Sequence, residues 1–370
     1  MAKGGFKVFD SDIHIMEPPD LWETYMDPPF RGRVKGFYEF VEDARIEIDG
    51  TLVPAGTQDQ RRRATKEMTR CEQVYLKYSQ GGWSPQLQLE AMDEEGVDIA
   101  VVYPTRGLYA LAIDGMDPGL AAAIARAYNN WLYDFCQANP QRLMGAGMVS
   151  PFGVEDAVTE AHRCVKELGF RAIFIRPNSV NGRNWYDPSY EPLWSALEEL
   201  AVPLGFHEGQ GARLPQVGDR FNPNAMLLHT VCHPFEQALA LVAFCGAGIL
   251  ERHPRLRVGF LEANCSWAPF VLWRLDEHWE RLGSVYAPEL TMAPSEYFKR
   301  QCYLSVECDE ELVAEAVGHL GDDRLVFSTD FPHPDSRFPA SVDAFLKLPL
   351  SETRKRKILW DNCAAFYGVA

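Results

Sequence analysis

The sequence predicts a single parallel (β/α)8 barrel, a TIM barrel that is distorted by two long insertions. Three observations support this prediction: the number of strand-like segments, the helical segments between them, and the polar residues that follow the strands. Eight strand–helix alternations predict a parallel sheet, and eight strands are the number that closes such a barrel. The chain has 370 residues, and α/β barrels of this size occur as one domain. We therefore interpret residues 1–370 as a single domain.

Eight short hydrophobic runs are the strand candidates. Each run contains β-branched or aromatic residues and ends in polar residues. Continuous apolar runs of this kind suit parallel strands that are covered on both faces. In chain order the runs are KVFDSDIHI, DIAVVYPT, LMGAGMVSP, FRAIFIRPN, VPLGFHEG, LRVGFLEAN, CYLSVECDE and RLVFSTDFPH.

Amphipathic segments between these runs predict the helices. The clearest one begins at Asp117, a residue type that caps helices, with Pro118 at the first helical position. A second helix is expected to end at Gly169, where a left-handed C-cap favours glycine. Three further helical segments precede the fifth, seventh and eighth strands. They are DPSYEPLWSALEEL, SWAPFVLWRLDEHWERL and DEELVAEAVGHLG.

Two long segments interrupt the alternation, residues 30–85 after the first strand and residues 209–245 after the fifth strand. In a barrel, the loops that follow the strands carry the active site, so both insertions are expected on that side. The first insertion contains a basic run, QDQRRRATKEM, which we interpret as a solvated face. It ends in an aromatic stretch that either covers the mouth of the barrel or packs the long loop, with Tyr75, Tyr78 and Trp83.

Composition excludes several classes of function. The formal net charge of −16 argues against nucleic-acid binding, which needs a basic surface. No apolar run approaches the length of a membrane span, and the first residues resemble no secretory signal, so a cytoplasmic protein is expected. The nine cysteines have no CxxC spacing, which favours buried thiols in a reducing compartment over disulfides or a zinc ribbon.

Carboxylates and imidazoles collect where the predicted strands end. Asp12 and His14 are two residues apart in the first strand, so they project to the same face. His207 follows the fifth strand, Glu262 the sixth and Asp330 the eighth. A barrel brings these ends into one ring, and their nitrogen and oxygen atoms are suitable ligands for Zn²⁺, Mn²⁺ or Fe²⁺. The joint pattern predicts a metal site, in which Glu262 is either a ligand or a base.

Three more histidines are candidates for the same site. His229 and His233 are four residues apart, which would place them on one helix face as ligands, with His233 also a catalytic candidate. Pro234 leaves an alternative, because the residue before a proline resists the helical conformation and a bend would let only one histidine face inward. His333 follows the eighth strand and is a candidate for substrate binding.

At this point the sequence resembles a known family. The segments DSDIHIMEPPDLW, VPLGFHEG, ILERHPRLRVGFLEANCSWAPF and VFSTDFPHPDS together resemble the amidohydrolase superfamily. The resemblance is to the amidohydrolase-related branch that includes aminocarboxymuconate-semialdehyde decarboxylase and γ-resorcylate decarboxylase. It implies a distorted barrel with one divalent metal held by Asp12, His14, His207 and Asp330. The family's decarboxylases carry a histidine where this chain has Glu262, so the resemblance favours hydrolysis or a larger metal site.

These expectations favour a metal-dependent hydrolase of a small carboxylate-bearing or aromatic substrate, acting through a metal-activated water. Asp330 or Glu262 would transfer the proton, and Arg176 or Arg106 would orient an anionic group of the substrate through a bidentate contact. Two alternatives stay open. One is a dinuclear iron or manganese oxygenase that uses the surplus ligands, among which Glu17 also counts. The other is a non-oxidative decarboxylase.

The expected cofactor is therefore one divalent zinc, manganese or iron ion, with two ions as the alternative. The expected partner is a small-molecule substrate, with no nucleic acid and no membrane. The resemblance implies a homodimer or higher oligomer, and a related partner subunit stays an alternative. A barrel that has lost its chemistry is disfavoured by the complete ligand set.

Overall fold

The computed structural model describes residues 3–41, 43–55 and 66–369. These residues form eleven strands. They are β1 (Phe9–Ile15), β2 (Val34–Gly36), β3 (Ile46–Ile48), β4 (Thr51–Val53), β5 (Ile99–Pro104), β6 (Leu143–Met148), β7 (Ala172–Ile175), β8 (Leu204–Phe206), β9 (Val258–Phe260), β10 (Cys302–Val306) and β11 (Leu325–Phe327). The basic run of the first insertion lies largely outside the described residues.

The barrel confirms the predicted fold class. Eight strands form one sheet in the order β1, β5, β6, β7, β8, β9, β10 and β11, and every neighbouring pair is parallel. The seam between β11 and β1 is joined by side chains: the Ser11 hydroxyl donates to the Phe327 carbonyl over 2.7 Å. The Ser328 hydroxyl donates to the Asp12 carbonyl over 3.0 Å. The barrel is therefore nearly closed, and each predicted strand corresponds to an observed one.

Helices surround this barrel. They are Leu21–Tyr25, Lys66–Val74, Leu76–Gln80, Pro85–Glu95, Gly107–Ala110, Pro118–Cys136, Val154–Lys166, Glu191–Glu199, Ala225–Gly246, Ile249–Arg252, Ala268–Tyr286, Pro294–Gln301, Val313–Leu320, Ser341–Phe345, Glu352–Arg356 and Asn362–Tyr367. Short 3-10 turns occur at Pro28–Phe30, Pro188–Tyr190 and Val217–Phe221, and a π-helical turn at Lys357–Asp361. Asp117 caps its helix by accepting a hydrogen bond from the Gly119 amide, and Gly169 has a left-handed φ of 69°.

The core lies on both faces of the barrel strands. Every residue of β1, β7, β8, β9, β10 and β11 is buried. This explains why β7, β8, β9 and β11 read as continuous apolar runs, whereas β1 is buried although it carries the polar residues Asp10, Ser11, Asp12 and His14. All nine cysteines are buried and free, as the sequence analysis expected. Among the described residues, no helix combines the length and the apolar character that a membrane crossing requires.

Both insertions contribute residues to the cavity at the end of the barrel where the strands end. The second insertion also extends along the barrel, since Cys245 contacts Cys302 at the beginning of β10. The first contains the small antiparallel sheet of β2, β3 and β4. The aromatic residues at the end of this insertion pack against the loop that follows β11, and they do not line the cavity described below. Tyr75, Tyr78 and Trp83 are buried, and their rings lie 5.5, 5.6 and 6.5 Å from that of Phe331. They support the loop that follows β11.

Candidate metal centre

Five of the predicted side chains meet at the ends of the barrel strands. The Nε2 atoms of His14 and His207 lie 2.9 Å apart. The Glu262 carboxylate reaches them, with Oε2 at 2.8 Å from Nε2 of His207. Asp12 Oδ1 and Asp330 Oδ1 lie 3.4 and 3.6 Å from Nε2 of His14. Four side chains each offer one donor atom to the cluster: Asp12, His14, His207 and Glu262. These four atoms all lie within 4.8 Å of one another.

The backbone fixes two of these carboxylates in an uncommon conformation. Glu262 and Asp330 lie in the loops just after β9 and β11 and have left-handed φ values of 48° and 55°. A non-glycine residue is rarely found there, and such strain concentrates at functional sites. The left-handed turn directs each carboxylate back over the end of its strand. Asp12 and His14 are placed differently, on β1, where the pairing with β5 is irregular between Asp10 and Ile13.

Backbone carbonyls set the orientation of both imidazoles. Nδ1 of His14 lies 2.7 Å from the Pro104 carbonyl, and Nδ1 of His207 lies 2.9 Å from the Glu208 carbonyl. A carbonyl only accepts hydrogen bonds, so each Nδ1 carries a proton and each Nε2 faces the cluster, where it can offer a lone pair to a cation. Metal-binding histidines are usually held in this way.

The oxygens of the cluster fit a divalent cation. Both carboxylate oxygens of Asp12, Oε2 of Glu262 and Oδ1 of Asp330 are buried and take part in no hydrogen bond. Buried polar atoms without a partner are costly and rare in folded proteins. A cation between these oxygens and the two Nε2 atoms would satisfy all of them, and the mixed nitrogen and oxygen set suits Mn²⁺, Fe²⁺ or Zn²⁺.

Burial and nearby charges shift the pKa values of the side chains in this cluster. Burial opposes ionisation of Asp12, but His207 and His14 hold the pKa of its carboxyl below its usual value. Burial also opposes protonation of His14, yet Asp12 raises the His14 pKa to about 10. Burial, followed by the charge of Glu262, raises the Asp330 pKa well above its usual value. Asp330 is therefore the carboxyl group of the cluster that most readily keeps a proton.

His333 also borders the cluster, since one donor atom from each of His14, Glu262, Asp330 and His333 lies within 4.8 Å of the others. Its Nδ1 lies 2.7 Å from Asp330 Oδ1, and its Nε2 lies 3.1 Å from the Thr105 hydroxyl. Burial, followed by the charge of His14, holds the His333 pKa well below its usual value, so this ring is neutral. His333 thus orients Asp330. It also lines the cavity, and its contact with a substrate stays a prediction.

The helix Ala225–Gly246 decides between the two alternatives for His229 and His233. It is continuous and contains Pro234, so no bend separates the histidines and their ring centroids lie 4.6 Å apart. His233 is buried, with Nδ1 at 3.3 Å from Glu262 Oε1. His229 lies nearer the mouth, where its Nε2 is 3.8 Å from Asp335 Oδ2. Both rings lie on the side of Glu262 away from Asp12.

A cavity of about 440 Å³ lies over this cluster. Its walls come from both insertions and from the loops after β5 and β11, and they are mainly apolar. The apolar part includes Met16, Phe40, Val41, Leu108, Tyr109 and Leu228. The polar part includes Thr105, Glu208, His229, His233, Glu262, His333 and Asp335. The cavity has the size and character of a small-molecule site.

The structure gives internal partners to both arginines that were candidates for substrate binding. Arg176 donates to Glu208 Oε1, Asn178 Oδ1 and the Leu108 carbonyl at 2.7, 3.0 and 2.7 Å. Arg106 donates to the Asp43 carbonyl. It also donates to the Glu17 carbonyl over 2.8 Å. Among the described residues, neither arginine lines the cavity. Their contact with a substrate stays a prediction without support from this geometry.

Glu17, a surplus ligand in the sequence analysis, lies away from the cluster. Its carboxylate accepts hydrogen bonds from the backbone amides of Arg106 and Gly107 at 2.7 and 2.9 Å. It therefore anchors the loop after β5. Tyr103 was not predicted as a neighbour of the site, and its ring stacks on His207 with centroids 5.7 Å apart. A tyrosine within an apolar strand gave no signal of this contact.

Comparisons with known proteins agree on the family to which this chain is similar. The family model described as "Amidohydrolase" matches residues 10–369. A curated relative, 2-amino-3-carboxymuconate-6-semialdehyde decarboxylase from Dictyostelium discoideum, is 28% identical over 291 residues, which cover 78% of this chain and 77% of the relative.

Two solved structures show the same fold. An amidohydrolase from Mycobacterium avium subsp. paratuberculosis has a TM-score of 0.77 at 23% identity, covering 99% of this chain and 98% of that one. A dihydroxybenzoic acid decarboxylase from a Polaromonas species, with bound manganese, has a TM-score of 0.68 at 20% identity. That match covers 98% of this chain and 97% of the other.

Proposed function

Because this chain belongs to the amidohydrolase family, we propose that it is a metal-dependent, non-oxidative decarboxylase of a small carboxylic acid with an aromatic body. The observation that carries the proposal is the cluster of buried carboxylate oxygens and imidazole Nε2 atoms that converge below a mainly apolar cavity. The names of two relatives, both decarboxylases, support it. They favour this alternative over the hydrolysis that the sequence analysis favoured.

Asp12, His14, His207 and Asp330 would hold the cation, with Glu262 as a further ligand. A divalent cation in this place would act as a Lewis acid on the substrate carboxylate and a neighbouring oxygen. Manganese is favoured because one relative is described with bound manganese. Arg106 and Arg176 are bound to groups inside the protein. Arg45 lines the cavity, but its guanidinium is paired with Asp43 and Glu39 at 2.6 and 2.9 Å. The cation would therefore be the main partner for a substrate carboxylate.

The side chains of the cavity would supply the rest of the chemistry. The bond between the ring carbon and the carboxylate breaks, the electron pair stays on carbon, and CO₂ leaves. That carbon must then gain one proton. Asp330 is the group best placed to deliver it, because His333 fixes the position of its carboxyl group at the edge of the cluster. Apolar walls such as Leu108 and Leu228 exclude water and fit a neutral ring.

Hydrolysis is the second candidate function. It is favoured by one observation, the carboxylate of Glu262 at 2.8 Å from Nε2 of His207. A carboxylate in this place could act as a general base toward water. Its pKa is held well below its usual value, against the effect of burial, by His207 and His233. It is therefore ionised and able to accept a proton.

The test is an assay of CO₂ release from a panel of hydroxylated benzoic acids by the manganese-loaded protein. In D₂O the product is expected to carry one deuteron at the carbon that lost the carboxylate. Asp330→Asn should lower kcat at least 100-fold, since general acids contribute roughly 10²–10⁴-fold. Cleavage of ester or amide substrates without any CO₂ release would instead select hydrolysis and reject the proposal.

A further inference from the structure

The seam between β1 and β11 separates three of the candidate metal ligands. Within the described parts of the chain, β1 pairs with β5 and β11 pairs with β10, but β1 and β11 do not pair with each other. Asp12 and His14 lie on β1, whereas Asp330 lies in the loop after β11. Because no ladder of backbone hydrogen bonds fixes these two strands, the separation of Asp12 and Asp330 depends on the other contacts that cross the seam.

Asp10 is a fully buried carboxylate on β1 that crosses this seam. Its Oδ1 accepts hydrogen bonds from the Asp12 amide over 3.0 Å and from the Thr329 amide over 3.3 Å. Its Oδ2 accepts a hydrogen bond from the Thr329 hydroxyl. The three donors therefore belong to one candidate ligand, Asp12, and to the residue that immediately precedes another, Asp330.

Thr329 connects Asp10 to the backbone around Asp330. The Thr329 hydroxyl donates to Asp10 and accepts a hydrogen bond from the Phe331 amide over 3.3 Å. Such a bond between a threonine hydroxyl and the amide two residues later stabilises a tight turn, and here the turn contains Asp330 with its left-handed φ of 55°. The Phe331 carbonyl in turn accepts a hydrogen bond from the His14 amide over 2.7 Å. The network thus connects the backbone at all three candidate ligands.

The contacts of Asp10 are those of a group that orients ligands rather than those of a ligand. Three donors occupy its two oxygens. Among the residues that the structure describes, Asp10 belongs to neither group of donor atoms that converge within 4.8 Å. A carboxylate buried in this way needs hydrogen bonds to compensate for its lost hydration, so the three donors hold it in place. Groups that orient metal ligands usually contribute to the affinity for the metal.

We propose that Asp10 is a positioning residue of the metal centre, which holds Asp12 and Asp330 at the separation that binds the divalent cation. It acts directly on the Asp12 amide and through the Thr329 hydroxyl on the turn that contains Asp330. The inference rests on the metal centre of the proposed function, but it does not depend on the reaction that this centre catalyses.

The experiment is a titration of the chelator-stripped full chain with Mn²⁺, in which electron paramagnetic resonance measures the free ion. Asp10→Asn keeps the size of the side chain but replaces one carboxylate oxygen with an amide nitrogen, which cannot accept the second set of hydrogen bonds. Its dissociation constant for Mn²⁺ should rise roughly 10–100-fold, the usual effect of losing a group that orients metal ligands. Circular dichroism of the stripped variant checks that it is folded.

Two substitutions at Thr329 test the same contact without removing a buried charge. Thr329→Val removes the hydroxyl but keeps the branched shape, so it should weaken Mn²⁺ binding in the same direction as Asp10→Asn. Thr329→Ser keeps the hydroxyl and should bind Mn²⁺ like the wild type. This pair decides the question even if Asp10→Asn fails to fold, because only the valine variant loses the hydrogen bond to Asp10.

A matched control is Asp98→Asn. Oδ2 of Asp98 also accepts a hydrogen bond from a backbone amide, that of Val8 over 2.9 Å, but Val8 precedes β1 and lies at the opposite end of the strand from the cluster. This variant should keep the wild-type affinity. Wild-type affinity in folded Asp10→Asn or in Thr329→Val, or an equal loss in Thr329→Ser and Thr329→Val, would overturn the proposal. A wild type that binds no Mn²⁺ would instead reject the metal centre on which the proposed function also rests.

Discussion

Arg176 and Glu208 form a buried ion pair between the residues that follow β7 and β8. The guanidinium lies 2.7 Å from Oε1 of Glu208, and both side chains are almost fully buried. The Arg176 guanidinium also donates to the carbonyls of Leu108 and Gly209 at 2.7 Å each. One arginine thus holds three loops at the carboxyl ends of the strands, which is a positioning role.

The first prediction concerns this pair. Arg176→Met should destabilise the fold by roughly 3–5 kcal/mol, because it leaves a buried carboxylate without its partner. The double variant Arg176→Met with Glu208→Leu should recover most of that loss, since both charges are then absent. Urea denaturation measures the unfolding free energies of the single and the double variant. An unchanged unfolding free energy in Arg176→Met together with a large rise in KM would instead make Arg176 a substrate contact.

At the scale of the elements, the helix Ala225–Gly246 is joined to the turn Val217–Phe221 by a buried carboxylate. Oε1 of Glu236 accepts a hydrogen bond of 2.5 Å from the Val217 amide. Burial, followed by the charge of Glu208, raises the Glu236 pKa to about 7. The folded protein therefore holds this proton more tightly than the unfolded chain, in which the pKa of a glutamate is about 4.5.

The second prediction is a pH dependence from this group. Since the folded pKa is raised, its stabilising contribution is fully present below pH 4.5 and is lost as pH rises through 7. Glu236→Gln keeps the acceptor for Val217 but never ionises. Relative to that variant, the wild type should lose on the order of 3 kcal/mol of unfolding free energy across this range. Denaturant curves of both proteins at several pH values measure this difference. If the unfolding free energies of the wild type and Glu236→Gln changed with pH in the same way, the raised pKa of Glu236 would be contradicted.

At the scale of the whole molecule, two neighbouring helices expose an apolar face. Ala225–Gly246 and Ala268–Tyr286 pack together, and the exposed side chains include Phe270 at 65% and Trp273 at 59% exposure. The others are Phe235, Leu239, Val242, Leu282, Val285 and Tyr286. Together they expose roughly 900 Å², taking about 200 Å² for a fully exposed aromatic side chain. Monomeric proteins rarely leave so large an apolar area in water.

The third prediction is a homodimer through this face. Its area matches the roughly 800 Å² that each partner buries in a stable complex. Its charges are mixed, since Arg274 and Arg281 each lie 2.6 Å from Glu277, so a second copy meets little repulsion despite the acidic chain. The double variant Phe270→Glu with Trp273→Glu should raise the dimer dissociation constant at least tenfold in analytical ultracentrifugation.

The control for this prediction is Leu312→Glu. Leu312 is also exposed, at 59%, but it precedes a different helix, Val313–Leu320. This variant should leave the dimer unchanged. A wild-type chain that sediments as a monomer at tens of micromolar would contradict the prediction.

The sequence predicted the barrel and part of the site for one physical reason. Residue type and spacing are local properties, and a parallel strand buried on both faces is visible as an uninterrupted apolar run. The carboxyl ends of parallel strands must meet at one end of a barrel, so Asp12, His14, His207 and Asp330 were predictable from their positions alone. Glu262 followed from the same rule, although its two-sided placement did not.

Only the tertiary structure decided which polar groups are free to react. The sequence shows that Arg176, Arg106 and Glu17 are polar residues near strand ends, but loop paths place carbonyls, amides and carboxylates around them, and these groups hold all three side chains inside the protein. Conversely, the helix continues through Pro234 because its packing in the fold outweighs the local preference, and this brings His233 to the cavity with a free Nε2. The type and spacing of the polar residues can be read from the sequence. Which distant groups pair with them is determined only when the chain is folded.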